Sequence, residues 1–200
     1  MNGECCYPEG AIFKRITRQL FLGWFVCVLI AGFYPISSFS GGIPTEGSFL
    51  PQFQLQAPAL EKERAYLGIG SRKLFSINEV DSPYILIEIM GVYCPQCHEQ
   101  APLFNKLFYR IKKNSTLSKK VKMMAVAIGA NPTEVSYVKK EFHIPFPIVM
   151  DPEFSIHKLL GEPRTPFTMF ATKEGKVVFA HLGVIEDIDS LLLQIGKLAQ

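Results

Sequence analysis

Two hundred residues, 48% of them hydrophobic and 20% charged, suit one domain with an appendage and carry enough apolar content to bury a core, which excludes intrinsic disorder. The formal charge of +3 is small and the lysines are scattered along the chain. A face basic enough to neutralise several phosphates is therefore absent, and nucleic acid is not an expected partner.

The first element is the uncharged run Leu20 to Ile36, LFLGWFVCVLIAGFYPI, preceded by Lys14, Arg15 and Arg18. Its helical length of roughly 26 Å falls slightly short of a hydrocarbon core of about 30 Å, so a signal-anchor and a cleaved signal peptide both fit. The long polar lead, and Pro35 at the end of the run, favour a retained anchor. The basic residues predict that residues 1–19 stay cytoplasmic and that the rest is exported, periplasmic or otherwise extracytoplasmic, tied to the inner membrane through residues 20–36. Cys5, Cys6 and Cys27 lie before or inside the run and receive no chemistry, which leaves Cys94 and Cys97 in a compartment where a disulfide persists.

Residues 37–59 are rich in Gly, Pro, Ser and Gln, as in a spacer, and a folded domain is expected over residues 60–200. Tyr84 to Met90, YILIEIM, is nearly continuous in apolar residues and predicts a strand covered on both faces. The stretch Cys94 to Ile111 follows with Leu103, Phe104, Leu107, Phe108 and Ile111 at helical spacing. Val121 to Ile128 is a second apolar strand, and Asn131-Pro132-Thr133-Glu134 opens a helix with a capping side chain, a proline and an acid. A strand over Phe146 to Met150 leads into Asp151-Pro152-Glu153, which repeats that device, with Gly161 as the helix stop. Phe167 to Ala171 and Lys176 to Ala180 flank a turn, and Asp187 to Leu198 has the spacing of a last helix.

Cys94 and Cys97 stand three apart at the start of a predicted helix, so their side chains are neighbours and a disulfide closes with little distortion. Zinc sites and haem attachment use the same spacing. The helix start sharpens the redox reading, because its unsatisfied N–H groups favour a thiolate on the first sulfur. Cys94, outermost, is the expected attacking thiol and Cys97, a turn deeper, the resolving one. Pro95 suits the first helical turn, and Gln96 fills the variable place between the cysteines.

The segment Ile85 to Cys97, ILIEIMGVYCPQC, resembles the active-site strand, turn and helix start of the thioredoxin superfamily, and the order of elements after it is similar to that of the TlpA and ResA group of exported thiol:disulfide oxidoreductases. The resemblance implies an α/β thioredoxin-like fold, a central mixed sheet flanked by helices, with no cofactor beyond a redox-active Cys94–Cys97 disulfide. It implies that Glu88, six residues before Cys94, is a buried acid relaying the proton of the resolving thiol. It implies also that Thr165-Pro166 is a cis-proline loop offering backbone groups to substrate, and that Tyr93 stands where a tryptophan is usual. The lysine that thioredoxin sets beside its acid has no counterpart in Met124 to Gly129, so a higher Glu88 pKa is expected. The implied partners are exported proteins bearing disulfides, with cytochrome c apoproteins one class, and a membrane-bound electron donor; reduction is the expected direction.

Other readings make distinct demands. Cys94-Pro95-Gln96-Cys97-His98 satisfies the attachment motif of a single-haem c-type cytochrome, while the strand before it and the helix after it fit a redox pair better. A zinc site needs two further ligands, and His143, His157 and His181 are isolated, so no metal is expected. A thiol peroxidase of the peroxiredoxin kind shares the fold but carries proline and threonine or serine where this chain has Ile87 and Gly91.

Overall fold

The structure is a computed structural model that describes residues 41–199; the run at residues 20–36, Cys5, Cys6 and Cys27 lie outside the described residues. In chain order the elements are β1 (Leu55–Gln56), α1 (Glu61–Leu67), β2 (Leu74–Phe75), a 3-10 turn (Ile77–Glu79), β3 (Tyr84–Gly91) and α2 (Pro95–Lys113). There follow α3 (Leu117–Lys120), β4 (Val121–Ile128), α4 (Pro132–Glu141), β5 (Ile148–Asp151), α5 (Ser155–Leu159), β6 (Phe167–Thr172), β7 (Val177–Leu182) and α6 (Ile188–Leu198).

Five strands form one mixed sheet in the order β5-β4-β3-β6-β7, with β3, β4 and β5 parallel and β6 and β7 antiparallel to their neighbours. This is the thioredoxin-like arrangement expected. Central β3 is apolar almost throughout because both its faces are covered: Ile85, Ile87 and Ile89 enter one core cluster, Leu86 and Met90 the other. The second cluster is closed by the apolar stripe of α2, where Phe104, Leu107, Phe108 and Ile111 are buried, and by Leu191 and Ile195 of α6. Each such side chain contributes roughly 1.5–3 kcal/mol of burial, which seats α2 firmly on the sheet and so fixes where its first turn lies.

Part of the stretch expected as a spacer is packed into the domain. Gly47 N–H donates to Val177 O (2.8 Å) and Leu50 N–H to Gly175 O (2.8 Å), so the segment runs beside the start of β7. Leu50 and Leu55 are buried, and Leu55 pairs with Phe75 in a two-stranded antiparallel ribbon. The ribbon, α1 and the 3-10 turn cover the Ile85, Ile87 and Ile89 face of the sheet.

Asn131 caps α4 as expected, accepting from Thr133 N–H (2.9 Å) and Glu134 N–H (3.0 Å), while Glu134 Oε2 accepts from Asn131 N–H (2.9 Å). Asp151 departs from the expected pattern. It is the last residue of β5, paired with Ile128, and the chain needs one more turn to leave the sheet. The helix therefore begins at Ser155 rather than beside Pro152, and the buried Asp151 carboxylate reaches forward to accept from Ile156 N–H (3.2 Å) and His157 N–H (2.9 Å).

Candidate active site

The chain leaves the sheet at Gly91, turns once through a Cys94 N–H to Gly91 O hydrogen bond of 3.2 Å, and enters α2 with Cys94 as its capping residue and Pro95 in the first turn. The Cys94 sulfur takes the place of a capping oxygen: Cys97 N–H donates to Cys94 Sγ at 3.3 Å. Cys94 is half-buried and Cys97 is 1% exposed, and both carry free thiols. One sulfur thus faces outward at the positive end of a 19-residue helix while its mate lies beneath it. Pro95 and Gln96 are exposed alongside. A methyl at Gly91 would sit 3.4 Å from Cys94 Cβ and 3.6 Å from Thr165 Oγ1, in ordinary van der Waals contact with both.

Across from the dithiol, the Thr165–Pro166 bond is cis and Pro166 leads directly into β6. The Cys94 thiol donates to Thr165 O at 3.4 Å, so the loop and the outer sulfur touch. Tyr93 is 78% exposed, and its hydroxyl donates to Glu134 Oε1 at 2.8 Å, tying the active-site turn to the first turn of α4. That carboxylate holds the Tyr93 phenol above its ordinary pKa.

Glu88 lies in the middle of β3, on the α2 side of the sheet, and is 4% exposed. Burial pushes its carboxyl up to about 7, against the opposing pull of a hydrogen bond from Gln100. Gln100 Nε2 donates to Glu88 Oε1 at 2.8 Å and lies 3.5 Å from Thr168 Oγ1, while Gln100 Oε1 accepts from Ile185 N–H at 2.9 Å. Glu88 pairs in register with Ala125 of β4 and Thr168 of β6, and His181 of β7 follows Thr168 in the same row. The Cys97 thiol is raised chiefly by burial, then by its link to Cys94, with the charge of Glu88 a smaller contribution.

The structure therefore brings together the half-buried Cys94 and Thr165 over the buried Cys97 and Pro166, with Tyr93 at the rim and Glu88 below. Gln100, Thr168 and Glu134 were not anticipated. Gln100 carried a readable signal, because it falls on the buried stripe of α2, one turn after Cys97, where the pattern calls for an apolar residue. Thr168 and Glu134 carried none, since strand register and the approach of α4 are tertiary facts.

His98 does not present a free ring. Its Nε2 is 2.7 Å from Val92 O and the ring stacks on Phe142 with centroids 4.4 Å apart. With Cys97 buried beneath the turn, the geometry opposes thioether attachment and axial ligation at Cys94-Pro95-Gln96-Cys97-His98. His157 is engaged with Pro163 O at 2.9 Å, and among the described residues no group of three or more His, Cys, Asp or Glu side chains converges as a metal site.

Known proteins resemble this chain in sequence and in fold. The thiol-disulfide oxidoreductase ResA of Halalkalibacterium halodurans is 24% identical over 109 residues, 54% of this chain and 58% of that protein. ResA of Bacillus subtilis is 22% identical over 143 residues, 72% of this chain and 70% of that protein. The match thus spans less than two thirds of the Halalkalibacterium protein. The crystal structure of a putative thiol:disulfide interchange protein DsbE from Chlorobium tepidum superposes with a TM-score of 0.59 at 18% identity, over 77% of this chain and 96% of that one, a likeness of fold. The family model described as Redoxin matches residues 50–192, from the buried Leu50 to the last helix and across the whole dithiol site, and the chain belongs to the Redoxin family.

Proposed function

We propose that the chain is a thiol-disulfide oxidoreductase of the ResA and DsbE kind, which reduces disulfides in other exported proteins through Cys94 and Cys97. The observation that carries this reading is the outer sulfur at the helix start, 3.3 Å from a backbone N–H, with a second thiol directly beneath. The Cys94 thiolate attacks a substrate disulfide, forming a mixed disulfide and releasing one substrate thiolate, which takes up a proton. Cys97 gives its proton to Glu88 and its sulfur attacks Cys94 Sγ. The Cys94–Cys97 disulfide forms, the second substrate thiol leaves with a proton, and two electrons have passed to the substrate. The neighbouring Thr165 carbonyl, the Pro166 loop and the exposed Tyr93 ring supply the surface on which an extended substrate segment rests.

On this reading residues 20–36 hold the domain at the outer face of the inner membrane, near a membrane-bound electron donor, and cytochrome c apoproteins are one substrate class. No cofactor takes part beyond the cysteine pair. Reduction of a model protein disulfide by the full chain, with the potential of the pair measured alongside, tests the proposal. A potential near about −270 mV supports a reductant, one near about −120 mV an oxidant, and a pair that never cycles sinks both.

A further inference from the structure

We infer that Gln100 is a positioning residue for Glu88: it pins one carboxyl oxygen, Oε1, and leaves the other, Oε2, as the atom that takes and returns the Cys97 proton. The inference rests on Glu88 as proton carrier in the function proposed above.

The argument begins with an amide that has only one way to sit. Ile185 N–H can only donate, so the end of Gln100 that meets it at 2.9 Å is the oxygen. The nitrogen end is thereby turned to Glu88 Oε1 at 2.8 Å and Thr168 Oγ1 at 3.5 Å. A nitrogen that only donates is served best by the unprotonated, carbonyl-type oxygen of a neutral carboxyl, since the hydroxyl oxygen is the weaker acceptor. When Glu88 is neutral its proton therefore resides on Oε2, which no described residue hydrogen-bonds. Gln100 is wholly buried, so neither end exchanges its partner for water.

The choice of an amide also fits the chemistry. A cation beside Glu88 would hold it ionised throughout, whereas a neutral donor opposes the effect of burial only in part and leaves the carboxyl able to cycle. The surroundings add little competing charge. From α2 the titratable group facing Glu88 is Cys97, with Cys94 at the helix start. From β4 and β6 the register neighbours are Ala125 and Thr168, and His181 of β7 stands one strand further. The loop before α6 offers the Ile185 N–H, and α6 itself turns Ile188 and Leu191 inward.

The test is the titration of the Glu88 carboxyl by carbon-13 NMR in the reduced full chain, beside the pH profile of turnover, for Gln100→Met alone and combined with Glu88→Gln. Losing the donor removes an interaction that lowers the carboxyl pKa, so the midpoint is expected to rise by about one pH unit, the acid limb of turnover moving up with it. In the Glu88→Gln background Gln100→Met is expected to move no limb. An unshifted midpoint in folded Gln100→Met, or a shifted limb that persists without Glu88, overturns the inference. Should Gln100→Met not fold, Gln100→Glu replaces it: two facing carboxyls share a proton and titrate in two separated steps, and a single unshifted step overturns the assignment. A chain without disulfide turnover defeats the proposed function, whereas the carboxyl midpoint still reads the hold of Gln100 on Glu88.

Discussion

The backbone N–H of Cys97 points at the sulfur of Cys94 from 3.3 Å, so in the proposed reaction Cys97 would support the attacking thiol through its main chain and resolve through its side chain. The two contributions are separable by substitution. Cys97→Ala keeps the N–H and the helix start while deleting the second sulfur. The variant is expected to retain a reactive Cys94 and to accumulate mixed disulfides with substrate, visible as a mass increase reversed by dithiothreitol. Recovery of unmodified protein alone, after incubation with an oxidised substrate, would remove the roles assigned to the two cysteines.

The buried carboxyl makes stability depend on pH in a stated direction. Glu88 has a folded pKa of about 7 against 4.5 for an unperturbed group, so between those values the unfolded chain binds fewer protons than the folded one and stability falls as pH rises. The contribution is fully present below about pH 4.5 and fully lost above about 7. A difference of about 2.5 pH units at about 1.4 kcal/mol each amounts to about 3–4 kcal/mol. Glu88→Gln keeps an oxygen to accept from Gln100 and removes the charge, so its urea midpoint is expected to gain on the native chain between pH 4.5 and 8. Parallel profiles for the two proteins over that range count against a buried, titrating Glu88.

Much of the sheet was legible because β3, β4 and β6 are buried on both faces and so read as unbroken apolar runs, and because α2 shows its stripe at helical spacing. The dithiol could be read from its spacing at a predicted helix start, and Glu88, an acid inside an apolar run, was singled out by the resemblance to the thioredoxin active-site segment. The ribbon of Leu55–Gln56 and Leu74–Phe75 was not, since two-residue strands have no period and their burial depends on the sheet they cover. Gln100 shows the remaining limit. Its place on the buried stripe can be read from the sequence, but its partners come from β3 and from the loop before α6, brought together only by folding.

A test of packing at the end of β4 concerns Gly129. Its φ of +63 is unfavourable for any side chain, and a Cβ there would lie 2.3 Å from Phe154 Cζ. Gly129→Ala is expected to destabilise the domain by about 1–3 kcal/mol, from strain and collision together. Adding Phe154→Ala, which removes the ring that the methyl meets, should restore the colliding share and leave the backbone share. Thermal unfolding of the single and double variants separates the two, and a double variant no more stable than Gly129→Ala assigns the whole effect to the backbone.

The proton route predicts that rate and equilibrium respond differently to the loss of Glu88. The potential of the pair is set by the relative stability of the dithiol and the disulfide, whereas a proton carrier lowers the barrier between them. Cys97 lies beneath the turn with a thiol held up by burial, so its deprotonation is the step most in need of a nearby base. Glu88→Gln is expected to slow resolution of the mixed disulfide by about 10²-fold or more at neutral pH, the usual range for losing a positioned general base. The potential should move by less than about 30 mV, the equivalent of about 1.4 kcal/mol for two electrons. Stopped-flow release of the reduced substrate gives the rate, and equilibration with glutathione gives the potential. A variant that resolves at the native rate returns Glu88 to the role of a buried acid tied to Gln100, and a large shift in potential with little loss of rate makes it a modulator of the Cys97 thiolate instead.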